Sequence, residues 1–326
     1  MLFKVYRDVF CCVSQNSKLS TDVKNVILSS WKDSTKEQYL TYLKQWEKYC
    51  KSRLKNPFTA DVAVGLEFLN IQRKKGLGYS AINTARSALS SIMSRDKAGN
   101  EFGSHPLVCR FMKGVFQQKP ALPRYSNIWD PNIVLNFLSR MSPRKRLTLK
   151  GLTEKVAALL ALLTVQRVQT LHLIKLENIS FNENQVQIAI SDLLKTSRPN
   201  YHLEPLVFEK FDHKSLCVVR YLKTYISKTR KLRGAETQLF ISFIEPHKAV
   251  TRSTISRWIR DILSRSGIDT SMFKAHSTRA ASASKVSKFL PIEKVLKAGG
   301  WSSSNSYAKH YKLPCVSSAA SLAMLS

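Results

Sequence analysis

Arg167, Lys195, His276, Arg279, Trp301 and Tyr311 follow one another along a chain of 326 residues. Their side chains form a set able to break a phosphodiester bond without a metal ion. Two guanidiniums can hold non-bridging oxygens bidentately, and a phenol can attack phosphorus. The ammonium and the imidazole can carry protons, whereas an indole N–H donates a hydrogen bond and shuttles nothing.

Each residue also has an ordinary reading. Arg167 ends an apolar run, Leu-Thr-Val-Gln-Arg-Val-Gln-Thr-Leu over 163–171. A guanidinium there needs an anionic partner if buried, but a helix C-cap or an internal salt bridge would also explain it. In His276-Ser-Thr-Arg279 the three-residue spacing at a helix start lets both side chains address one face. A phosphate at that point would also meet backbone N–H groups. Taken alone, this string recurs by chance. Trp301, in Ala-Gly-Gly-Trp-Ser-Ser, either packs in a core or donates to an anion. Two phenols compete for the nucleophile: Tyr311, in Ala-Lys-His-Tyr-Lys-Leu-Pro, and Tyr307. A free phenol titrates near about 10, so neighbouring Arg and Lys charges must favour the phenolate. Lys195 sits in Leu-Leu-Lys-Thr-Ser-Arg-Pro, where Arg198 is a rival and any basic connection would carry a lysine.

These residues need a scaffold, and the hydrophobic pattern supplies one. Residues 33–50 read as a helix, with Ser34 and Glu37 as a capping-box signature and Tyr39, Tyr42, Leu43, Trp46 and Tyr49 on one face. A second helix follows Thr59 with Val62, Leu66 and Leu69 inward. A third starts near Ser80 with Ile82, Ala85, Leu89 and Ile92 in register, and a fourth covers about 106–116. Residues 117–126 hold two prolines and no periodicity, the pattern of a linker. Asp130-Pro131 then restarts a helix. An apolar helix over about 153–164 leads into Arg167. Val186, Ile188 and Ile190 alternate as a strand, residues 203–208 supply its partner, and Lys195 lies in the connection. Helices are expected near 215–226 and 254–265, the latter stopped by Gly267. The remainder is helical, with breaks at Pro291 and Gly299-Gly300. The divisions are an N-terminal extension (1–30), a helical domain (31–116), a linker (117–127), a second domain (128–313) and a tail (314–326).

Lys and Arg outnumber Asp and Glu 52 to 22, a net charge of +30, which is the footprint of a polyanion-binding protein. No apolar run reaches transmembrane length, and residues 1–28 are interrupted by Lys4, Arg7 and Asp8 and lack a signal-peptide core. Nucleic acid is therefore the expected partner, with no membrane. Six cysteines without a Cys-x-x-Cys pair and seven histidines without ligand spacing point to no zinc, no disulfide framework and no cofactor, and fit a reducing intracellular compartment. Arg252, Arg257, Arg260 and Arg265 lie opposite Ile255, Trp258, Ile259 and Ile262, which suits a helix laid against DNA. Ser142-Pro-Arg-Lys-Arg-Leu147, with Lys150, could contact phosphates or serve as a nuclear import signal. For both, the plain alternative is the solvated face of a basic protein.

The order and spacing of the six residues resemble the tyrosine recombinase (phage integrase) family over about 34–313. The wording around Tyr311 is most similar to recombinases of DIRS-type retrotransposons. The resemblance implies a mainly α fold with a small antiparallel β-sheet: a helical, SAM-like core-binding domain and a mixed α/β catalytic domain, closing on duplex DNA as a C-shaped clamp. It implies that Arg167 and Arg279 clamp the scissile phosphate, Trp301 donates to it, and Tyr311 attacks to form a 3′-phosphotyrosine bond. Lys195 would protonate the leaving 5′-oxygen and His276 would manage the tyrosine proton, without metal or ATP. Arg198, Arg252, Arg257 and Arg260 would contact the DNA. Four protomers would assemble for strand exchange, the tail after Pro314 would reach over to a neighbour, and a eukaryotic protein would act in the nucleus. Three features depart from the pattern, the first being that the tail is short and poor in charge. Thr170 stands where many members place an acid that orients the first arginine, and bacterial members commonly space Trp301 and Tyr311 one residue closer.

Rival readings are a type IB topoisomerase-like swivelling enzyme, a non-catalytic DNA-binding descendant of a recombinase, and a metal nuclease. The integrase-like N-terminal helices disfavour the first, and the filled catalytic positions disfavour the second. The dispersed carboxylates disfavour the third.

Overall fold

The computed structural model describes residues 20–120, 125–141, 143–301, 304, 307–308 and 311. Most of the 1–30 extension, part of the linker, Ser142 and the 314–326 tail lie outside the described residues. The chain divides into two units, Met1–Leu122 and Pro123–Ser326, a division that falls inside the segment read as a linker.

The first unit is helical: α1 (Thr21–Ser29), α2 (Asp33–Ser52), α3 (Val62–Lys74), α4 (Tyr79–Ser90) and α5 (Pro106–Gln118). The extension thus contains a helix. Ser20 starts it by accepting the Val23 N–H, and Leu28 and Trp31 pack on the unit's core. In α2, Leu43, Trp46 and Cys50 are buried, while Tyr39, Tyr42 and Tyr49 pack at the margin. Ser34 is not the cap. The helix begins one residue earlier, and the Lys32 carbonyl receives the Thr35 and Lys36 N–H groups. In α3 the inward set is Phe68, Leu69 and Gln72, with Val62 and Leu66 only partly covered. The face is set by Gly65, where an added Cβ would come within 2.3 Å of the Phe102 ring. α5 runs two residues further than expected.

The second unit centres on α7 (Leu149–Thr164), preceded by α6 (Pro131–Arg140) and followed by the short α8 (Val168–His172). Asp130 caps α6 through the Asn132 N–H with Pro131 in the first turn, as the sequence signature requires. Thr148 caps α7. Helices α9 (Val218–Thr229), α10 (Arg252–Arg265) and α11 (Ser277–Val286) pack around α7, so it is buried on nearly every side and reads apolar all round. Its two buried charges are both answered. Glu154 pairs with Arg265 of α10, which removes Arg265 from the free basic face expected for that helix. Lys155 donates to the carbonyls of Leu138 and Met141 at 2.6 and 2.9 Å, closing the end of α6. Burial pushes this ammonium down to about 8, while the two carbonyls and the Tyr221 ring 4.0 Å away favour its charged form.

Strands β1 (Ile179–Phe181), β2 (Gln185–Ile188) and β3 (Leu206–Glu209) form an antiparallel sheet in that order, with Ile179 opposite Ile188 and Ile188 opposite Leu206. Val186 and Ile188 face the core. β1 was not expected, because three residues carry too little alternation to read. Helix α12 (Ile292–Gly299) follows α11, and Ser304, Tyr307 and Ala308 beyond it are also helical. Among the described residues no helix is long and apolar enough to cross a membrane.

Candidate active site

The site begins where α7 ends. Val165 adopts the left-handed conformation, φ 56° and ψ 16°, which costs a β-branched residue roughly 1–3 kcal/mol. This turn aims the Val165 carbonyl at Arg279 and places Arg167 at the start of α8. The Arg167 side chain is partly buried and makes no hydrogen bond or ion pair among the described residues. Thr170 donates its hydroxyl to the Gln166 side-chain oxygen at 3.3 Å, and Gln166 donates to the Ala298 carbonyl. The position without an acid therefore braces a glutamine that ties the turn to α12.

Arg279 lies in the first turn of α11 and is fully buried. Its two Nη groups donate to Val165 O and Gly299 O, each at 2.7 Å. The guanidinium carbon lies 3.9 Å from the Trp301 ring centre and 5.2 Å from that of Tyr311. Burial and then the nearby Arg167 charge push Arg279 down to about 10, with Tyr311 opposing; it remains a cation at neutral pH. Arg167 is thus close enough to Arg279 to repel it, and among the described residues no carboxylate pairs with either. The Arg279 Nε and the Trp301 Nε1 are both buried without a partner among the described residues.

Gly299-Gly300 does two separate jobs. Gly300, at φ 65°, ends α12 with bonds from its own N–H to Lys297 O and from the Trp301 N–H to Leu296 O. This pattern turns the chain back and needs the left-handed conformation that glycine adopts freely. Gly299 instead provides space, because a Cβ there would stand 1.8 Å from the Trp301 ring. Gly299→Ala is expected to drive the indole off Arg279. Near-ultraviolet circular dichroism should report the displaced tryptophan, and cleavage of duplex DNA should fall at least about tenfold, as for a catalytic group shifted by roughly 1 Å.

The two phenols differ sharply. Tyr307 is fully buried among Val165, Ala283, Val295 and Trp301, and its hydroxyl donates to Ala283 O at 3.5 Å. Tyr311 is partly exposed, with its Oη 3.1 Å from His276 Nε2 and its ring centre 4.8 Å from that of Trp301. The backbone holds it in place: its carbonyl accepts from the Ser284 hydroxyl at 2.6 Å and its N–H donates to Tyr307 O at 2.8 Å. His276 stands exposed at the start of α11, whose first turn is fixed by the Trp129 indole donating to Ser277 Oγ.

Lys195 lies exposed in the turn of the β2–β3 connection. That connection reaches the site's edge. A Cβ on Gly300 would lie 3.8 Å from Thr196 Oγ1 and 3.9 Å from Leu203, and Glu204 pairs with Lys297 at 2.9 Å. Arg198, also exposed, rests its guanidinium 5.2 Å from the Tyr201 ring centre. On α10, Arg252, Arg257 and Arg260 are exposed opposite buried Ile255, Trp258, Ile259 and Ile262. Arg252 reaches towards α8: burial first, then its charge, holds His172 below the ordinary histidine range. The Arg144–Arg146 strip is elsewhere. It lines a cavity of ≈ 370 Å³ with Lys214 and Arg220 and precedes α7, whereas Arg167 follows the other end of that helix, itself about 24 Å long at 1.5 Å per residue.

Sequence reasoning missed the Val165 and Gly299 carbonyls, Gln166 and Ser284. Backbone acceptors carry no residue-type signature, and only the Gly-Gly pair hinted at a close approach.

Together, a mainly helical catalytic unit and a clustered Arg–His–Arg–Trp–Tyr set define a phosphodiester-cleaving class. Residues 138–314, just over half of the chain, match the phage integrase family. The chain belongs to that family and is a tyrosine recombinase. Similar structures include the XerH site-specific recombinase bound to palindromic difH substrate in a post-cleavage complex (16% identity, covering 83% of this chain and 74% of that one, TM-score 0.59). Others are a lambda integrase dimer bound to a COC′ core site (16%, 89% and 93%, 0.53) and the Tn1549 transposon integrase with circular intermediate DNA (12%, 98% and 99%, 0.60). At these identities the likeness establishes the fold. No curated protein matches the sequence.

Proposed function

We propose that this chain cleaves and rejoins double-stranded DNA through Tyr311. The observation that carries the reading is the contact of Tyr311 Oη with His276 Nε2 at 3.1 Å, made while the same ring lies over buried Arg279. His276 would take the phenolic proton as Oη bonds to phosphorus. The P–O5′ bond would break, and Lys195 would give its proton to the departing 5′-oxygen. Arg167 and Arg279 would hold the non-bridging oxygens, giving preorganised charge to the transition state. A phosphate entering beside Tyr311 would also offer acceptors to the Arg279 and Trp301 donors. The resulting 3′-phosphotyrosine keeps the energy of the phosphodiester, so a 5′-hydroxyl from another strand can reseal it without ATP.

Arg252, Arg257, Arg260 and Arg198 are exposed and free to line the duplex, and the similar Tn1549 transposon integrase structure is a complex with circular intermediate DNA. One similar lambda integrase structure is a tetramer on a Holliday junction, which supports four protomers during exchange here. Residues 31–116 would be the core-binding domain. The wording around Tyr311 supports an origin in a mobile element of DIRS type, and a nuclear site of action if the source is eukaryotic.

The test is a suicide duplex nicked beside the scissile phosphate, incubated in EDTA and run on a denaturing gel. A slow-migrating protein–DNA adduct is expected. Its absence across duplexes that the protein binds would refute catalysis and leave a DNA-binding protein.

A further inference from the structure

We infer that His202 is a positioning residue for Lys195. The inference rests on the reading of Lys195 as the proton donor to the 5′-oxygen. Among the described residues the Lys195 side chain makes no hydrogen bond or ion pair, so its placement depends on the backbone of the turn that carries it. The β2–β3 connection is anchored before Lys195 by Ile190 and Leu194 in the core, by Asp192 paired with Lys175 and by Ser191 bonded to Asn178, and across Lys195 itself one imidazole ties the two limbs together. His202 Nε2 lies 2.6 Å from the Ile190 carbonyl, a contact that requires the proton on Nε2. This bond closes the neck of the connection, joining a residue before Lys195 to one after it. The other ring nitrogen lies 3.5 Å from Ser197 Oγ, and that oxygen accepts the Leu194 N–H at 2.9 Å. Ser197 N–H returns a bond to Leu194 O at 3.1 Å. Lys195 is thus enclosed between two residues bonded to each other and backed by His202.

The limb that carries His202 is itself docked. Leu203 and Thr196 approach Gly300, and Glu204 pairs with Lys297. His202 therefore couples the lysine turn to the limb resting against α12 and the residue before Trp301. Without it the turn would keep its docking point and lose its register to that point. A displacement of roughly 1 Å in a reacting group can cost about a hundredfold in rate.

The experiment compares two suicide duplexes, one with the natural 5′-oxygen at the scissile bond and one with a bridging 5′-sulfur. A thiol is far more acidic than an alcohol, titrating near about 8.5, so sulfur departs without a proton donor. On oxygen, His202→Ala and Lys195→Ala are both expected to form adduct at least about tenfold more slowly than the parent. On sulfur, both should return to within about threefold of it. His202→Gln, whose amide N–H reaches about as far as Nε2, should keep most of the oxygen activity. Parent-like cleavage of oxygen by His202→Ala, or an equal defect on both substrates, would overturn the positioning role. A Lys195→Ala defect that sulfur does not relieve would overturn Lys195 as the acid, a separate failure read from its own arm.

Discussion

Tyr311→Phe should abolish the covalent adduct on a nicked suicide duplex, while Tyr307→Phe retains it. The first substitution removes one oxygen and leaves the ring that packs on Trp301 and lies over Arg279. Packing and duplex affinity should therefore persist, and the loss reports chemistry. Removing a catalytic nucleophile costs at least about a thousandfold, because the remaining groups have nothing to deliver. At Tyr307 the oxygen lost makes one long bond to Ala283 O, worth at most about 1 kcal/mol, within a cluster otherwise held by apolar contact. Adduct that survives Tyr311→Phe and vanishes in Tyr307→Phe would transfer the role to a side chain with no exposed surface. Tyr307 would then have to leave its apolar cluster before DNA could be cut.

The parts of this architecture that could be read in the sequence are those fixed by local chemistry. Asp130-Pro131 announces a helix start because a carboxylate can take an orphan N–H and proline loses nothing in the first turn. Gly299-Gly300 announces a reversal because a left-handed residue is needed there. The basic and apolar faces of α10 follow from its period. What could not be read depends on partners distant in sequence. Ser34 has the composition of a cap, yet the helix starts at the residue that Lys32 can serve. Arg265 belongs by sequence to the same basic set as Arg257 and Arg260 but ends against Glu154, more than a hundred residues earlier. Within the site, residue types and order point to Arg167, His276, Arg279 and Tyr311, and the structure brings their side chains together. That Arg279 is held by the carbonyls of Val165 and Gly299 has no trace in residue type. That Tyr307 is buried while Tyr311 is partly exposed likewise depends on packing partners distant in sequence, which residue type does not carry.

Those carbonyls govern the expected outcome for Arg279→Ala, which should lose adduct and stability together. A phosphate clamp on the protein surface could be removed with little effect on folding. Arg279 has no exposed surface, and its truncation leaves two buried carbonyls unanswered, at about 1–3 kcal/mol each. The strained Val165 turn would also lose the cation that holds its carbonyl. A loss of about 3–5 kcal/mol is a large share of the roughly 5–15 kcal/mol that holds a typical domain, and thermal unfolding should shift down by about 10 °C. Adduct formation by the folded fraction should fall about a hundredfold or more, as when a preorganised donor to a developing charge is deleted. Duplex affinity measured below the unfolding range should change much less, because it is shared among many phosphate contacts of a chain carrying +30. Arg279→Lys separates the two losses. An ammonium keeps the charge and, being shorter in reach and without the fork of a guanidinium, can answer part of what the two carbonyls need, so part of the stability should return. It cannot serve both carbonyls, lie flat against Trp301 and reach a phosphate at once, so the adduct should stay weak. Arg279→Ala that unfolds at the parent temperature would show that the two carbonyls have other donors in solution, and that Arg279 is free to act as a clamp alone.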